Sequence, residues 1–245
     1  MTESVESPRI IRICDFFSGT HSWTAPWLDW WSENTNVELE IFSIDNNADY
    51  ADTTTVIKDF LELTADEVLT FFGGHPPDVI LASPPCTAFS VASIGKHWGG
   101  GNRAYLPKTE MAVLSQRLVQ HTLALVEELD PAYFWMENPR GVLRKLPFMR
   151  QAVEDGLDHT LVWYCQYGPT HGILRAKPTD LWGRFPSTWN PRPICKNGNP
   201  DCNHVRAPRG AKTGTQGLAN NRVRSMIPIE LTREIMEACL EDLRL

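Results

Sequence analysis

The 245-residue chain is expected to fold as an α/β protein: a doubly wound, mostly parallel sheet carrying a small loop-rich insertion. Three observations point there. Short apolar runs alternate with helix-period stretches over the first two-thirds, as βαβ units require. The run within Asp78 to Ala82 is continuously apolar, as in a strand buried on both faces. Turn residues close the runs, at Ser18-Gly19 and at Asp45-Asn46-Asn47. With 42% apolar residues and nine Trp, the chain has material for one large core.

Ile10 to Phe17 reads as the first strand. Trp23, Trp27, Trp30 and Trp31 follow at i, i+4, i+7 and i+8, which predicts one apolar face of a helix. Leu39 to Ile44 is the second strand, Val56 to Phe60 a short third, and Asp78 to Ala82 the fourth. Met111, Leu114, Leu118, Leu125 and Leu129 form a helical stripe that Pro131 stops. Tyr133 to Met136 and Leu161 to Cys165 are the fifth and sixth strands. From about Gly183 the periodicity fails, and residues 183–219 hold five of the eighteen Pro. A helix resumes with Pro228 at its first position, its apolar face made by Ile235, Met236, Cys239, Leu240 and Leu243. Residues 1–182 with 220–245 thus form the main domain, and 183–219 the insertion.

Composition excludes several classes. No apolar run approaches the roughly 18 residues of a membrane span, so no membrane partner is expected. Met1 to Arg9 carries no apolar signal region, and six scattered Cys look like reduced thiols. A cytoplasmic, unsecreted monomer is the expectation. The net charge of −7 is unevenly placed. Thr170 to Arg224 holds ten Lys/Arg against two acids, a net of +8, which leaves −15 on the rest. A basic stretch on an acidic body has the form of a nucleic-acid footprint; a solvated basic loop has the same composition.

In open α/β sheets ligands bind beyond the carboxyl ends of the strands. Those ends here carry Asp15 to Gly19, Asp45, Asp59-Phe60, Pro84-Pro85-Cys86 and Glu137-Asn138-Pro139. An acid after the second strand, such as Asp45, commonly takes the ribose hydroxyls of an adenosine-type cofactor. The first turn has no GxGxxG, which removes the main warrant for a dinucleotide oxidoreductase. Cys86 follows two Pro on a loop leaving a buried strand, a position suited to a nucleophile; a buried structural thiol is the other reading. Glu137, at the next strand end, is a candidate proton donor.

Asp15-Phe16-Phe17-Ser18-Gly19, Ser83-Pro84-Pro85-Cys86-Thr87-Ala88-Phe89-Ser90 and Glu137-Asn138-Pro139 occur in this order. Together they resemble the cofactor, catalytic-loop and Glu-Asn motifs of cytosine-C5 DNA methyltransferases. Arg175-Ala176-Lys177 resembles the family's Arg-x-Arg element, with Lys in the second place. Arg224 to Pro228 resembles its closing cofactor-side motif, with Arg224 where Asn is usual. His21 and Ser22 stand where the cofactor turn usually has glycines.

The resemblance implies a Rossmann-like S-adenosylmethionine-dependent methyltransferase fold and methylation of a flipped-out cytosine in double-stranded DNA. It gives Cys86 the attack on C6, Glu137 the contact to N3, and Arg175, with Lys177, the support of the base. S-adenosylmethionine would be held by Asp15, Phe17, Ser18, Gly19, Thr20 and His21, by Asp45 and Asn46, by Asp59 and Phe60, and by Pro84 and Ser225. Residues 87–108, with Gly99-Gly100-Gly101, Lys96 and Arg103, resemble the mobile catalytic loop; a disordered connector is the plainer alternative. The insertion stands where the family reads its target, which implies a short recognition sequence. Within it Cys195, Cys202 and His204 are candidate zinc ligands, with Cys165 or His171 as a fourth, or else free thiols. Its small size would suit a phage or a bacterial mobile element. The same chemistry on RNA, such as tRNA, and a catalytically silent cofactor-binding accessory protein are the competing readings.

Overall fold

A computed structural model describes residues 8–34, 36–100, 105–170, 172–196, 198–204 and 220–245. The strands are β1 (Arg9–Phe16), β2 (Val37–Asp45), β3 (Val56–Ile57), β4 (Val79–Ala82), β5 (Trp98–Gly99), β6 (Leu106–Pro107), β7 (Tyr133–Pro139), β8 (Asp158–Trp163) and β9 (Pro178–Arg184). Seven of them form one sheet in the order β3-β2-β1-β4-β7-β9-β8. The pairs from β3 to β7 are parallel. β9 lies antiparallel between β7 and β8.

Alternation along the strands builds two cores, because successive side chains leave opposite faces. Ile11, Ile13, Val79, Leu81, Trp135 and Leu181 face one side. There they meet α1 (Ala25–Glu33) and, later in the chain, α7 (Ile229–Leu243). Cys14, Phe16, Ile80, Ala82, Phe134 and Met136 face the other. That side is covered by α2 (Ala65–Phe71), α4 (Glu110–Leu129) and α5 (Pro147–Glu154). Helix α2 starts on a capping box, in which Thr64 and Glu67 satisfy each other's backbone N–H. Helix α4 ends at Asp130 in the left-handed region (φ 42°), just before Pro131.

Several expectations need correction. Trp23 precedes α1, and only it and Trp27 are deeply buried; Trp31 is 43% exposed, so the four Trp do not share a buried face. The third strand stops at Ile57, because Asp59 caps a 3-10 turn at Phe60. The sixth runs Asp158–Trp163, and Tyr164 to Gln166 form a 3-10 turn. Pro228 is the N-cap of α7, one residue before its first turn. Met111 and Leu114 of the α4 stripe are exposed.

Residues 87–100 and 105–108 carry their own structure: α3 (Ile94–His97) and the β5–β6 ribbon. Trp98 is buried there, donates Nε1–H to the Ala88 carbonyl at 2.6 Å and stacks on Phe89. Gly101 and Arg103 lie outside the described residues. Where irregularity was expected from 183, β9 runs on to Arg184. Beyond it, Phe185 stacks on Trp135 with centroids 4.1 Å apart, and Trp189 meets the same ring edge-on at 4.8 Å. One more helix completes the described chain: α6 (Asn221–Ser225), capped by Asn220, leads into α7. No described helix is long and apolar enough to cross a membrane.

Candidate active site

The turn after β1 is unusual in its backbone. Phe17 (φ 61°), Gly19 (φ 45°) and His21 (φ 55°) all lie in the left-handed region, which costs an L side chain about 1 kcal/mol or more. Such strain persists where the surroundings fix it, and here they do. Ser18 N–H bonds to the Ile44 carbonyl at 3.1 Å, and Gly19 N–H to Asp45 Oδ2 at 2.9 Å. The other Asp45 oxygen accepts from Asn47 N–H at 2.9 Å. The first turn is therefore tied to the end of β2 through one carboxylate.

Between these turns lies a cavity of about 320 Å³. Of the expected cofactor residues, Phe17, Ser18, Gly19, Thr20, Asp45, Asn46, Asp59, Phe60 and Ser225 line it. The Phe17 and Phe60 rings meet at 4.2 Å on its apolar side. Asp59 Oδ1 accepts from Leu61 N–H, which fixes the side chain at the cavity rim. The remaining three lie elsewhere. His21 borders a neighbouring cavity of about 220 Å³. Pro84 is buried, its carbonyl accepting Asn138 Nδ2–H at 2.9 Å. Asp15 is fully buried below the turn. Burial pushes its carboxyl up to about 8, against a hydrogen bond from Thr24 Oγ1 at 3.2 Å. Burial pushes His21 down. The two approach to 3.8 Å as neutral groups at pH 7, which makes this contact no ion pair.

Cys86 opens the loop after β4. Its carbonyl accepts from Phe89 and Ser90 N–H, so the chain turns sharply and leaves the thiol exposed. The loop is then pinned to the turn after β7. Val142 N–H reaches the Phe89 carbonyl at 2.8 Å, and a Cβ on Gly141 would sit 2.1 Å from that oxygen. Only glycine fits there. Solvent reaches the thiol from one side while protein crowds the others. That crowding raises its pKa above the ordinary value; Lys177 pulls it down, Glu137 pushes it up, and Arg224 pulls down less. These charges act on Cys86 because strand ends β4, β7 and β9 are neighbours.

Glu137 is buried near the end of β7. Its Oε1 accepts from Tyr164 Oη–H at 2.7 Å and from Lys177 Nζ at 3.2 Å. Lys177 also lies 4.6 Å from the Tyr164 ring centroid. Tyr164 is wholly buried, and burial beside Glu137 raises its pKa, so it stays a proton donor to the carboxylate. Arg175 is placed differently from Lys177. It is 1% exposed, and its Nη1 and Nη2 bond to the carbonyls of Val223 (2.7 Å) and Met226 (3.3 Å). Its guanidinium thus ties the α6 segment, which brings Ser225 to the cavity, to the sheet.

The site includes residues that motif reading passed over. Tyr164 leaves the end of β8, and an inventory of strand ends extended by one strand would have found it. Trp23 and Leu118 line the cavity from helical or turn positions that resemble ordinary core. Trp23 Nε1–H donates to Ser83 Oγ at 2.8 Å, joining the first turn to the catalytic-loop motif. Cys195, Cys202 and His204 come together with Cys165. His171 lies outside the described residues.

Comparison with known proteins agrees with this arrangement. The family model described as C-5 cytosine-specific DNA methylase matches residues 33–150, a span that includes Asp45, Cys86 and Glu137. A probable DNA (cytosine-5)-methyltransferase of Frog virus 3 (isolate Goorha) is 27% identical over 237 residues, covering 94% of this chain and 100% of the relative. The type II methyltransferase M.XorII of Xanthomonas oryzae pv. oryzae is 29% identical over 104 residues, 41% of this chain and 21% of its own. A solved methyltransferase of Entamoeba histolytica shares the fold at a TM-score of 0.56 and 9% identity, over 96% of this chain and 99% of that one. Ordered motifs, a cavity at the first two strand ends and a Cys–Glu pair beside it accord with these likenesses: residues 33–150 of the chain are similar to the C-5 cytosine-specific DNA methylases.

Proposed function

We propose that the protein transfers a methyl group from S-adenosylmethionine to C5 of a cytosine flipped out of duplex DNA, through a transient bond between Cys86 and C6. The carrying observation is that Cys86 follows β4 with its thiol exposed, that Glu137 lies buried near the end of the neighbouring β7, and that Ser83 and Pro85 of the Cys86 loop line the cavity.

The cavity suits the cofactor. Two backbone N–H groups hold the Asp45 carboxylate, and a carboxylate has about four lone-pair sites, so it retains capacity for two ribose hydroxyls. Phe17 and Phe60 offer ring faces to a nucleobase. S-adenosylmethionine supplies an electrophilic methyl group when bound.

The protein's own residues do the rest. Cytosine C5 is a poor nucleophile, so Cys86 as thiolate adds to C6, and the electron pair displaced from the C5–C6 bond makes C5 nucleophilic. Glu137, once Oε2 has taken a proton from solvent, meets N3 and passes that proton to it as charge builds on the ring. Tyr164 and Lys177 fix Oε1, and Oε2 is the oxygen that meets the base. Once C5 carries the methyl group, N3 returns its proton to Glu137, and loss of the C5 proton to water restores the double bond and expels the Cys86 thiolate. The target carbon is unreachable inside a stacked duplex, hence the flip.

The test is labelled-methyl transfer to duplex DNA and to tRNA by the wild type and Cys86→Ala. Transfer to DNA is expected from the wild type alone, with cofactor affinity nearly unchanged in the variant. Substantial turnover by Cys86→Ala overturns the covalent route, and label found only in tRNA overturns the substrate.

A further inference from the structure

We propose that Cys165, Cys195, Cys202 and His204 hold one structural zinc ion, which clamps the chain leaving β9 onto the end of β8. The four ligand atoms lie within 4.8 Å of one another. Cys165 and Cys195 are buried, as is His204, and Cys202 is half-buried. His204 turns Nδ1 toward the sulfurs, 3.2 Å from Cys202 Sγ and 3.6 Å from Cys195 Sγ. Zinc bonds of about 2.3 Å to sulfur and about 2.0 Å to nitrogen give tetrahedral edges of roughly 3.5–3.8 Å. The cluster therefore needs only small contraction about an ion.

The surroundings fit thiolates. Gln166 Nε2 lies 3.9 Å from Cys165 Sγ and 3.8 Å from Cys202 Sγ, and Asn199 Nδ2 lies 3.6 Å from Cys195 Sγ. Amide donors around the sulfurs orient and charge-balance metal-bound thiolates. Three thiols and an imidazole packed together without a metal have only weak donors to offer one another. Three soft sulfurs and one nitrogen in tetrahedral reach select zinc over hard cations. Four protein ligands close the coordination sphere, so the ion is structural and takes no part in the methyl transfer.

The topology gives such a clamp a task. β9 runs antiparallel to β7, so Arg184 lies at the sheet edge opposite the site, beside Asp130 and Pro131. From there the chain returns across the α1/α7 face to meet Cys165. Phe185, Trp189 and Arg192 hold it part of the way; Arg192 bonds to Glu234 and to the Gln166 carbonyl. The segment is too short to build a core, the situation in which metals replace one. Cys165 directly follows Tyr164, so the ion would also stiffen the turn that presents Tyr164 Oη to Glu137.

Elemental analysis of the full chain, purified under reducing conditions, is paired with cobalt(II) loading of the chelator-stripped protein. One zinc per chain is expected to survive desalting. Cobalt should give the intense visible absorption of a tetrahedral site with thiolate charge transfer. Cys165→Ser and Cys202→Ser should each lose the zinc equivalent, and Cys86→Ser should keep it. Absence of both retained zinc and a tetrahedral cobalt spectrum overturns the proposal, as does a disulfide among the three Cys in the reduced protein. Full zinc retention by Cys165→Ser overturns the four-ligand assignment. If the serine variants do not fold, the wild-type cobalt spectrum decides.

Discussion

Asp15 is the group whose ionisation the fold alters most usefully for experiment. Its ordinary carboxyl pKa is 3.8, and burial lifts it to about 8. Between those values the folded chain binds a proton that the unfolded chain has released. Stability from this group is therefore full below about pH 4 and is lost as pH rises toward 8. The loss is at most about 1.4 kcal/mol per pH unit. Asp15→Asn should remove that slope, and melting temperature against pH for the two proteins measures it; parallel curves would mean a solvated carboxylate. Lys177 offers a second handle, because it lowers the Cys86 thiol pKa that burial raises. Lys177→Met should shift the rising limb of the rate–pH profile, which the thiol's ionisation sets, to higher pH. An unshifted limb would remove Lys177 from the thiol's field.

At the scale of elements, the loop that follows Cys86 is held by contact as well as by sequence. Gly141 lets the turn after β7 approach Phe89 so closely that any Cβ meets its carbonyl at 2.1 Å. Gly141→Ala should displace Phe89 and with it the Cys86 turn, lowering kcat far more than cofactor affinity; kinetics with separate cofactor titration would show whether the loss is confined to chemistry. Nothing in the residue types around Gly141 announces that approach, which depends on two loops far apart in sequence. The parallel strands were legible from their apolar stretches, unbroken in β4 and interrupted by polar residues in β1 and β2. β9 was not, since Pro178 and Asp180 interrupt its pattern. Asp180 is tolerated at a wholly buried position because Arg144 and His159 lie 3.2 and 3.1 Å from one of its oxygens. The motif residues lay at strand ends and were readable by topology. Tyr164 and Cys165 stood one strand beyond the motifs, and the fourth member of the Cys/His cluster needed tertiary structure to single it out.

For the whole molecule, the charge asymmetry of residues 170–224 needs a finer account. Four of its ten cations are committed internally: Arg175 and Lys177 are buried in the site, Arg184 pairs with Asp130, and Arg192 with Glu234. Lys196 and Arg222 are exposed, while Arg206, Arg209 and Lys212 lie outside the described residues. Each phosphate neutralised on duplex DNA contributes roughly 0.9 to the slope of log affinity against log salt. Replacing Arg206, Arg209 and Lys212 by Ala should flatten that slope, and an unchanged slope would leave them as solvated charges. With so few side chains left to read bases, the recognised sequence is expected to be about two to four base pairs. Methylation mapping that returned a strict six-base site would contradict this.

The position of β9 between β7 and β8 also shapes the chain's history on the ribosome. One edge of β7 pairs with β4, but the other is covered only by residues 178–184. While the intervening residues are being made, a strand bearing Phe134, Trp135 and Met136 presents open backbone and apolar side chains. Unpaired edges of this kind invite association with other chains. Nascent chains stalled before Pro178 are therefore the species most exposed to aggregation, and the hairpin that closes the sheet also ends that vulnerable interval.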